Sequence, residues 1–478
     1  MRVLLVNPPF YRLLGSHYNA NSLGIAYIAS YLNTHGHDAW VYNADFQGEN
    51  KFKKYGVIHT KESFISYQDY FNNPNHNIWE EVVASIEKFE PDYVGYTSYT
   101  ANVSSINILS NKLKRRMPNV KQVIGGVHAT LDSNILNELS AIDYSIQREG
   151  ESAMLSLVNG EPVNTISGVL SRDGRSIINI GDADVNKNID DLPFPEREKF
   201  WGMTEKEKSL VDVSYICTIR GCPYRCNYCA SPFHWKRDKT QYRSPQSVID
   251  EMKYLKKHHW NGSEYDFSAS GNIDMKSNLI IKDNSKLYFV DDVFTIKKPR
   301  VKQILRMMID EDINMLWKCE ARTDHLDEEM AGLMRDAKCL RAKLGFESGS
   351  DRILKQIQKD ETVEDMIRGA KILKDAGVPF TAYFMAGFPG ETDDDIKKTI
   401  ELAQKIEADY YVLSILSPYY GTKLYFDMMD MGYELDKQPW EYFYHHSGEL
   451  MVNNTISNGM MKEFLSLNQL NNTEDNYV

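Results

Sequence analysis

Three of the chain's six cysteines crowd into Cys222-Pro-Tyr-Arg-Cys226-Asn-Tyr-Cys229. Thiolates at this spacing let one short loop wrap three corners of an iron-sulfur cubane, leaving the fourth iron open to the nitrogen and oxygen of a small molecule. The alternative is a structural zinc site completed by His234, although the second cysteine pair usual in zinc modules is absent. Cys217, Cys319 and Cys339 are isolated in or beside apolar strands and read as buried, inert thiols. Six cysteines in 478 residues make no disulfide framework.

A chain of 478 residues exceeds what one core organises, so several domains are expected. The alternation of strands at 3–6, 39–42, 93–97, 122–124 and 144–146 with helices at 24–33, 78–89, 103–117 and 133–139 predicts an α/β, doubly wound (Rossmann-like) domain over 1–150. Ligands of such sheets sit at the carboxyl ends of the strands. The polar stretch 45–77 is too long for a simple connection and reads as an ordered excursion. Turn signals at Asn159-Gly160 and Asp173-Gly174 mark 151–210 as a connecting segment.

A second series of strands follows at 211–218, 287–290, 315–319, 341–346, 380–386 and 410–415. Helices at 245–257, 299–309, 328–336, 362–376 and 392–406 lie between them. Six such units predict a partial (β/α)6 barrel of TIM type over 211–425, with its chemistry at the C-terminal strand ends. The insertion 261–286 is expected on the opposite face, and 426–478 is expected to form a small, aromatic capping element with a loose tail.

The net charge of -12 argues against a nucleic-acid partner. No run approaches the ~18 apolar residues of a membrane span, so no membrane partner is expected. The start Met-Arg-Val-Leu-Leu-Val-Asn-Pro-Pro reads as a first strand rather than a signal peptide, and a cytoplasmic location is expected.

The C-x3-C-x2-C loop, in its Arg-Gly-Cys-Pro context after a strand, resembles the radical S-adenosylmethionine superfamily. The resemblance implies that Cys222, Cys226 and Cys229 hold a [4Fe-4S] cluster and that Tyr228 lies against the adenine of S-adenosylmethionine. It further implies that Asp291, in Phe289-Val290-Asp291-Asp292, meets the methionine amino group and that Arg322 pairs with its carboxylate. Glu347 and Ser348 would bond the ribose, and the loop Gly387-Phe388-Pro389-Gly390-Glu391-Thr392 matches one common in the superfamily.

The first domain could hold a nucleotide, a flavin or a corrinoid, and fold alone does not choose. No G-x-G-x-x-G follows its first strand. Instead Val6-Asn7-Pro8-Pro9, Ser22-Leu23-Gly24, Gly95-Tyr96-Thr97-Ser98-Tyr99-Thr100, Ile124-Gly125-Gly126-Val127-His128 and Arg148-Glu149-Gly150-Glu151 resemble the cobalamin-binding class of these enzymes, to about residue 425. The resemblance implies that Ser22, Leu23, Gly24 and His128 border cobalamin, while Thr97, Ser98 and Thr100 bond its tail. Gly125 and Gly126 would let the tail pass close to the backbone. The D-x-H-x-x-G motif that supplies a cobalt ligand is missing, and His17 lacks its spacing, so no histidine is expected on cobalt.

The implied activity is radical methylation of an unactivated carbon in a small-molecule substrate, with an electron donor of flavodoxin or ferredoxin type. Oxidation, cyclisation or ring rearrangement with the same cofactors is the alternative, and a non-catalytic cobalamin or redox sensor is a third.

Overall fold

The computed structural model describes residues 1–15, 18–47, 67–174, 176–181, 188–235, 240–259, 286–444 and 455–467. His17, most of the 45–77 excursion, nearly all of the 261–286 insertion and the last residues of the tail therefore lie outside the described residues.

Strands β1 (Arg2–Asn7), β2 (Asp38–Asn43), β3 (Tyr93–Ser98), β4 (Lys121–Gly126) and β5 (Tyr144–Ile146) run parallel in the order β2-β1-β3-β4-β5. Val3 and Leu5 pack with Ile25 and Ala29 of helix Leu23–Thr34. Leu4 and Val6 face the other way, into helices Asn77–Phe89 and Val103–Arg116. A strand covered on both faces needs the unbroken apolar run that β1 carries.

The segment 151–210, expected as a connector, builds part of this sheet. Helix Glu151–Val158 packs on the same face as helix Leu23–Thr34, and β6 (Val169–Asp173) and β7 (Ser176–Asn179) extend the edge as an antiparallel hairpin. The boundary expected at 150 therefore cuts through one structural unit. Asp173-Gly174, which reads as loop punctuation, belongs to the turn of that hairpin, with Gly174 at φ +61°.

The second sheet contains β8 (Tyr215–Ile216), β11 (Lys286–Phe289), β12 (Leu316–Ala321), β13 (Cys339–Glu347), β14 (Phe380–Ala386) and β15 (Tyr410–Ile415), while β9 (Ile219–Arg220) and β10 (Gln241–Tyr242) form a separate antiparallel pair between β8 and β11 in the chain. Strands β8 and β11 to β15 are parallel, in sequence order, and leave the barrel open between β8 and β15. Trp317, Cys319 and Ala321 of β12 join the core under the outer helices, whereas Lys318 and Glu320 alternate with them toward the lumen. Arg341 and Lys343 of β13 follow the same alternation.

Aromatic and polar side chains after β15 tie the two sheets together. Tyr420 donates to Asp132 (3.3 Å) and Trp440 to Glu138 (3.1 Å), and Phe443 is fully buried. Among the described residues no helix is long and apolar enough to cross a membrane.

Candidate active site

Strand β9 delivers the chain into the cysteine loop, and pairing with β10 closes the loop's base. Its far side is pinned to the turn after helix Asp351–Gln356. Asn227 N donates to Ile357 O (3.0 Å), Asn227 Nδ2 donates to Gln356 O (3.1 Å), and Arg225 reaches Asp360. Cys222 and Cys226 are buried, Cys229 is half-buried, and all three are free thiols. Burial pushes Cys222 up to about 11 and raises Cys226 and Cys229 as well, and the Cys229 thiol feels both of the others. Thiolates gathered in so dry a place become favourable when iron takes up their charge.

No three His, Cys, Asp or Glu side chains among the described residues converge on a single metal ion. His234, the fourth ligand that zinc would need, borders the interdomain cavity instead.

The implied S-adenosylmethionine contacts divide. Asp291 is buried, and its carboxylate is occupied by Thr218 N (2.5 Å), Thr218 Oγ1 (2.6 Å) and Ile219 N (2.8 Å). It holds the β8–β9 corner, so these bonds compete with the amino-group contact expected of it. Its neighbour Asp292 accepts from Ser231, and its field raises the Cys222 and Cys229 thiols.

Arg322 is also occupied. Nε and Nη2 fork onto Asp324 (both 3.0 Å), Nη1 donates to Lys359 O (3.1 Å), and the guanidinium lies 3.7 Å over the Tyr224 ring. In this arrangement it forms a prop beneath the cysteine loop. Ser348 is fully buried with its hydroxyl on Thr399 (3.3 Å), and Gly349 beside it has no room for a Cβ, which would stand 2.2 Å from Lys398 O. Close packing against helix Asp393–Ile406, rather than ribose, explains this pair.

Tyr228 and Glu347 do come together. Glu347 adopts φ +63° at a register shift in β13, a conformation costing about 1–3 kcal/mol. Its carboxylate meets the Tyr228 hydroxyl and stands 3.8 Å from Lys359. Lys359, also paired with Glu361 (3.1 Å), places a buried positive charge beside Cys226.

A cavity of about 640 Å³ runs from the carboxyl ends of the first sheet to the barrel lumen. Ser22, Leu23, Gly24, Thr97, Gly125 and Gly126 border it, as their motifs imply. From the barrel come Tyr215, Cys217, Tyr288, Val290, Lys318 and Lys343. Cys217 is thus a cavity residue rather than a core thiol, while Cys319 and Cys339 are buried in the core.

Three expected cobalamin contacts are displaced. Ser98 is fully buried, donating to Gly125 O (2.7 Å) and accepting from Ala129 N (3.1 Å). Thr100 bonds His128 Nδ1 (3.1 Å). His128 is itself fully buried, with its ring against Trp440 and Tyr420, and burial alone holds it down to about 3. These residues fix the loops behind the cavity. Gly126 is also explained locally, since a Cβ there would meet Ser98 O at 2.8 Å, whereas Gly125 leaves ordinary space toward the cavity.

Further cavity residues were given no role by their motifs. Arg220 bridges the sheets by pairing with Glu149 (3.2 Å) and Glu151 (2.6 Å). Lys343 donates to Tyr288 (3.1 Å) and stands 3.5 Å from Glu320. The signal for the lumen group was the alternation of Lys318, Glu320, Arg341 and Lys343 with apolar residues.

Residues 216–403 match the radical SAM superfamily and residues 14–158 match the B12 binding domain. An uncharacterized methyltransferase of Pyrococcus horikoshii is 27% identical over 434 residues, spanning 89% of this chain and 82% of that protein. The anaerobic magnesium-protoporphyrin IX monomethyl ester cyclase of Rubrivivax gelatinosus is 26% identical over 73% of this chain, which spans 61% of the cyclase. Among solved structures, the radical S-adenosylmethionine methyltransferase TsrM from Kitasatospora setae, with cobalamin and a [4Fe-4S] cluster bound, shares the fold with a TM-score of 0.66 at 17% identity. That match covers 90% of this chain and 75% of the other.

A B12-type sheet opening onto an incomplete barrel with a three-cysteine loop defines a cobalamin-dependent radical enzyme. The chain joins a B12 binding domain to a radical SAM superfamily domain, and its cofactors are a [4Fe-4S] cluster, S-adenosylmethionine and cobalamin. The free, mutually close thiols suit the cluster, and the open Gly125 wall together with the unpartnered His234 Nδ1 suits an amide-rich corrinoid.

Proposed function

We propose that this enzyme transfers a methyl group to an unactivated carbon of a small-molecule substrate. One observation carries the reading: a single cavity is bordered at one end by Thr97 and Gly125 and at the other by Cys217, Val290 and Lys318. When bound, the cofactors supply reductive cleavage of S-adenosylmethionine to a hydrogen-abstracting radical and a methyl group for the carbon radical that results.

The chain's own part is to hold these partners within contact distance and away from water. Cys222, Cys226 and Cys229 hold the cluster, Arg322 and Asn227 brace their loop, and the Lys359 charge favours the thiolate form at Cys226. Tyr228 and Glu347 form the wall for the adenosyl group, and Asp292 replaces Asp291 as the acid facing the methionine ammonium. A flavodoxin- or ferredoxin-type donor supplies the electron, and the enzyme works in the cytoplasm.

Similarity to a cyclase supports a second reading, in which the same cofactors close or oxidise a ring without methyl transfer. Mass balance on the reconstituted protein separates the two. Methylation gives product with one added methyl group and matching S-adenosylhomocysteine. Product without S-adenosylhomocysteine selects the second reading, and no 5′-deoxyadenosine under reduction refutes both.

A further inference from the structure

Beside the main cavity lies a chamber of about 390 Å³, at the small end of the ~300–1,000 Å³ range for small-molecule sites. The two share Tyr11, Tyr18, Ser22, Tyr99 and Val127 as a common wall. The chamber also reaches Ala230, directly after Cys229, and Tyr419, which is half-buried near Tyr11 and Cys229. A molecule inside it would lie against the cofactor cavity on one side and the cluster loop on the other.

The two spaces differ sharply in charge. The main cavity is bordered by the cations Arg148, Arg220, Lys318 and Lys343 and by Glu149 and Glu151, both paired with Arg220. Among the described residues lining the chamber, no cation occurs, and Asp45 is the sole formally charged group. Asp45 is almost fully buried and already accepts from Phe10 N (2.8 Å), Tyr11 N (3.0 Å) and Arg12 N (2.8 Å). Its part is to pin the turn that presents Phe10 and Tyr11.

Half of the remaining lining residues are aromatic. Tyr11 and Tyr18 stack at 5.9 Å with an 11° interplanar angle, and Phe10 meets Tyr444 edge-on at 5.0 Å. Tyr99 keeps 58% of its surface exposed at the shared wall, so a large ring is presented with little protein covering it.

We propose that this chamber is the substrate site and that it takes a planar, uncharged, aromatic or conjugated group. The assignment rests on the methyl-transfer reading for the direction in which that group is presented. Flat faces suit ring walls, and tyrosine hydroxyls can serve one or two polar atoms. A carboxylate or phosphate would have to leave water without a cation to meet it, next to an existing carboxylate.

The test uses cobalamin-loaded, cluster-reconstituted protein in anaerobic equilibrium dialysis with two dyes of one skeleton, neutral N-phenyl-1-naphthylamine and its sulfonate 8-anilinonaphthalene-1-sulfonate. The neutral dye is expected to bind at least tenfold more tightly. Leu131→Trp, which fills the chamber from a lining position outside the cofactor cavity, should weaken it at least fivefold with cobalamin stoichiometry unchanged, and Tyr99→Ala, which removes the exposed ring of the shared wall, should also weaken it at least fivefold. Should Leu131→Trp not fold, Tyr99→Ala decides alone. Equal affinity for the two dyes, no binding of the neutral dye, or unchanged binding in a folded variant overturns the assignment. Wild-type protein that fails to retain cobalamin would instead overturn the cofactor-based reading, and the dye comparison on that protein would still judge the chamber.

Discussion

The Arg322 guanidinium lies 3.7 Å over the ring of Tyr224, midway between Cys222 and Cys226, while its fork grips Asp324. A fork that stacks and binds at once has no equivalent in a lysine ammonium. Arg322→Lys is therefore expected to retain charge but loosen the cluster loop, costing about 1–3 kcal/mol given that Asp324 is partly exposed. Iron content after anaerobic desalting should fall by more than half, with cobalamin uptake unchanged. Full iron retention in the variant would show that the stack is incidental.

Gly125 and Gly126 should respond differently to substitution. A Cβ at Gly126 collides with Ser98 backbone at 2.8 Å and faces φ +96°, so Gly126→Ala should cost more than about 2 kcal/mol and yield little folded protein. At Gly125 the nearest atom to a Cβ is Ile146 O at an ordinary 3.6 Å. Gly125→Val should accordingly fold, with a normal circular-dichroism melt, yet lose at least tenfold in cobalamin affinity. Unchanged cobalamin binding in Gly125→Val would remove the cofactor from that wall.

These contrasts mark what the sequence could convey. Strand positions were legible because the apolar run of β1 and the alternating apolar residues of β12 and β13 stand between helices of clear 3.6 period. The cysteine loop was legible because ligand spacing is local. The neighbours of Asp291, Arg322 and Ser348 were not legible, because a motif places a residue at a strand end without showing what packs there: Thr218 from the turn between β8 and β9, Asp324 two residues on, and Thr399 from a later helix. Lys318 and Lys343 went unnoticed for a related reason. A polar lumen imprints the same alternation as a solvent-exposed face.

Glu391 gives a pH signature. Burial lifts it from 4.5 to about 7, although its carboxylate accepts from Gly387 N (2.7 Å) and Phe388 N (3.1 Å). Because the native state holds this proton more tightly than the unfolded chain, the group's contribution is greatest below about pH 4.5 and is lost as pH rises through about 7. Glu391→Gln keeps an acceptor for both amides and cannot titrate. Urea melts should show its stability rising relative to wild type by about 2–3 kcal/mol between pH 4.5 and 7. A constant difference would refute the assignment.

The cysteines should separate by environment. Cys226→Ala should abolish iron loading and 5′-deoxyadenosine formation, since the other two thiolates would have to carry the cluster alone. Cys319 is fully buried under the outer helices, so Cys319→Ser should cost about 1–3 kcal/mol in a thermal melt for the buried hydroxyl while leaving iron content intact. Iron loss in Cys319→Ser beyond its loss of folded protein would connect the core to the cluster.

His234 borders the cofactor cavity at 8% exposure, and its Nδ1 has no hydrogen-bond partner among the described residues. An unmet buried nitrogen costs about 1–3 kcal/mol, a cost removed when a bound molecule supplies the partner. Burial, reinforced by Arg148 and Arg220, holds its pKa down to about 4, so the ring is neutral across the working pH range and can bond a corrinoid amide. His234→Phe preserves the ring packed edge-on to Trp235 at 4.6 Å and removes the nitrogen. Dialysis against hydroxocobalamin should show affinity about tenfold weaker, the equivalent of ~1.4 kcal/mol. His128→Phe should leave that affinity and the cob(II)alamin paramagnetic resonance spectrum unchanged, because His128 is sealed behind Trp440 and outside the cavity lining. The reverse pattern, with His128→Phe losing cobalamin and His234→Phe retaining it, would place the corrinoid on the other side of the β4 wall.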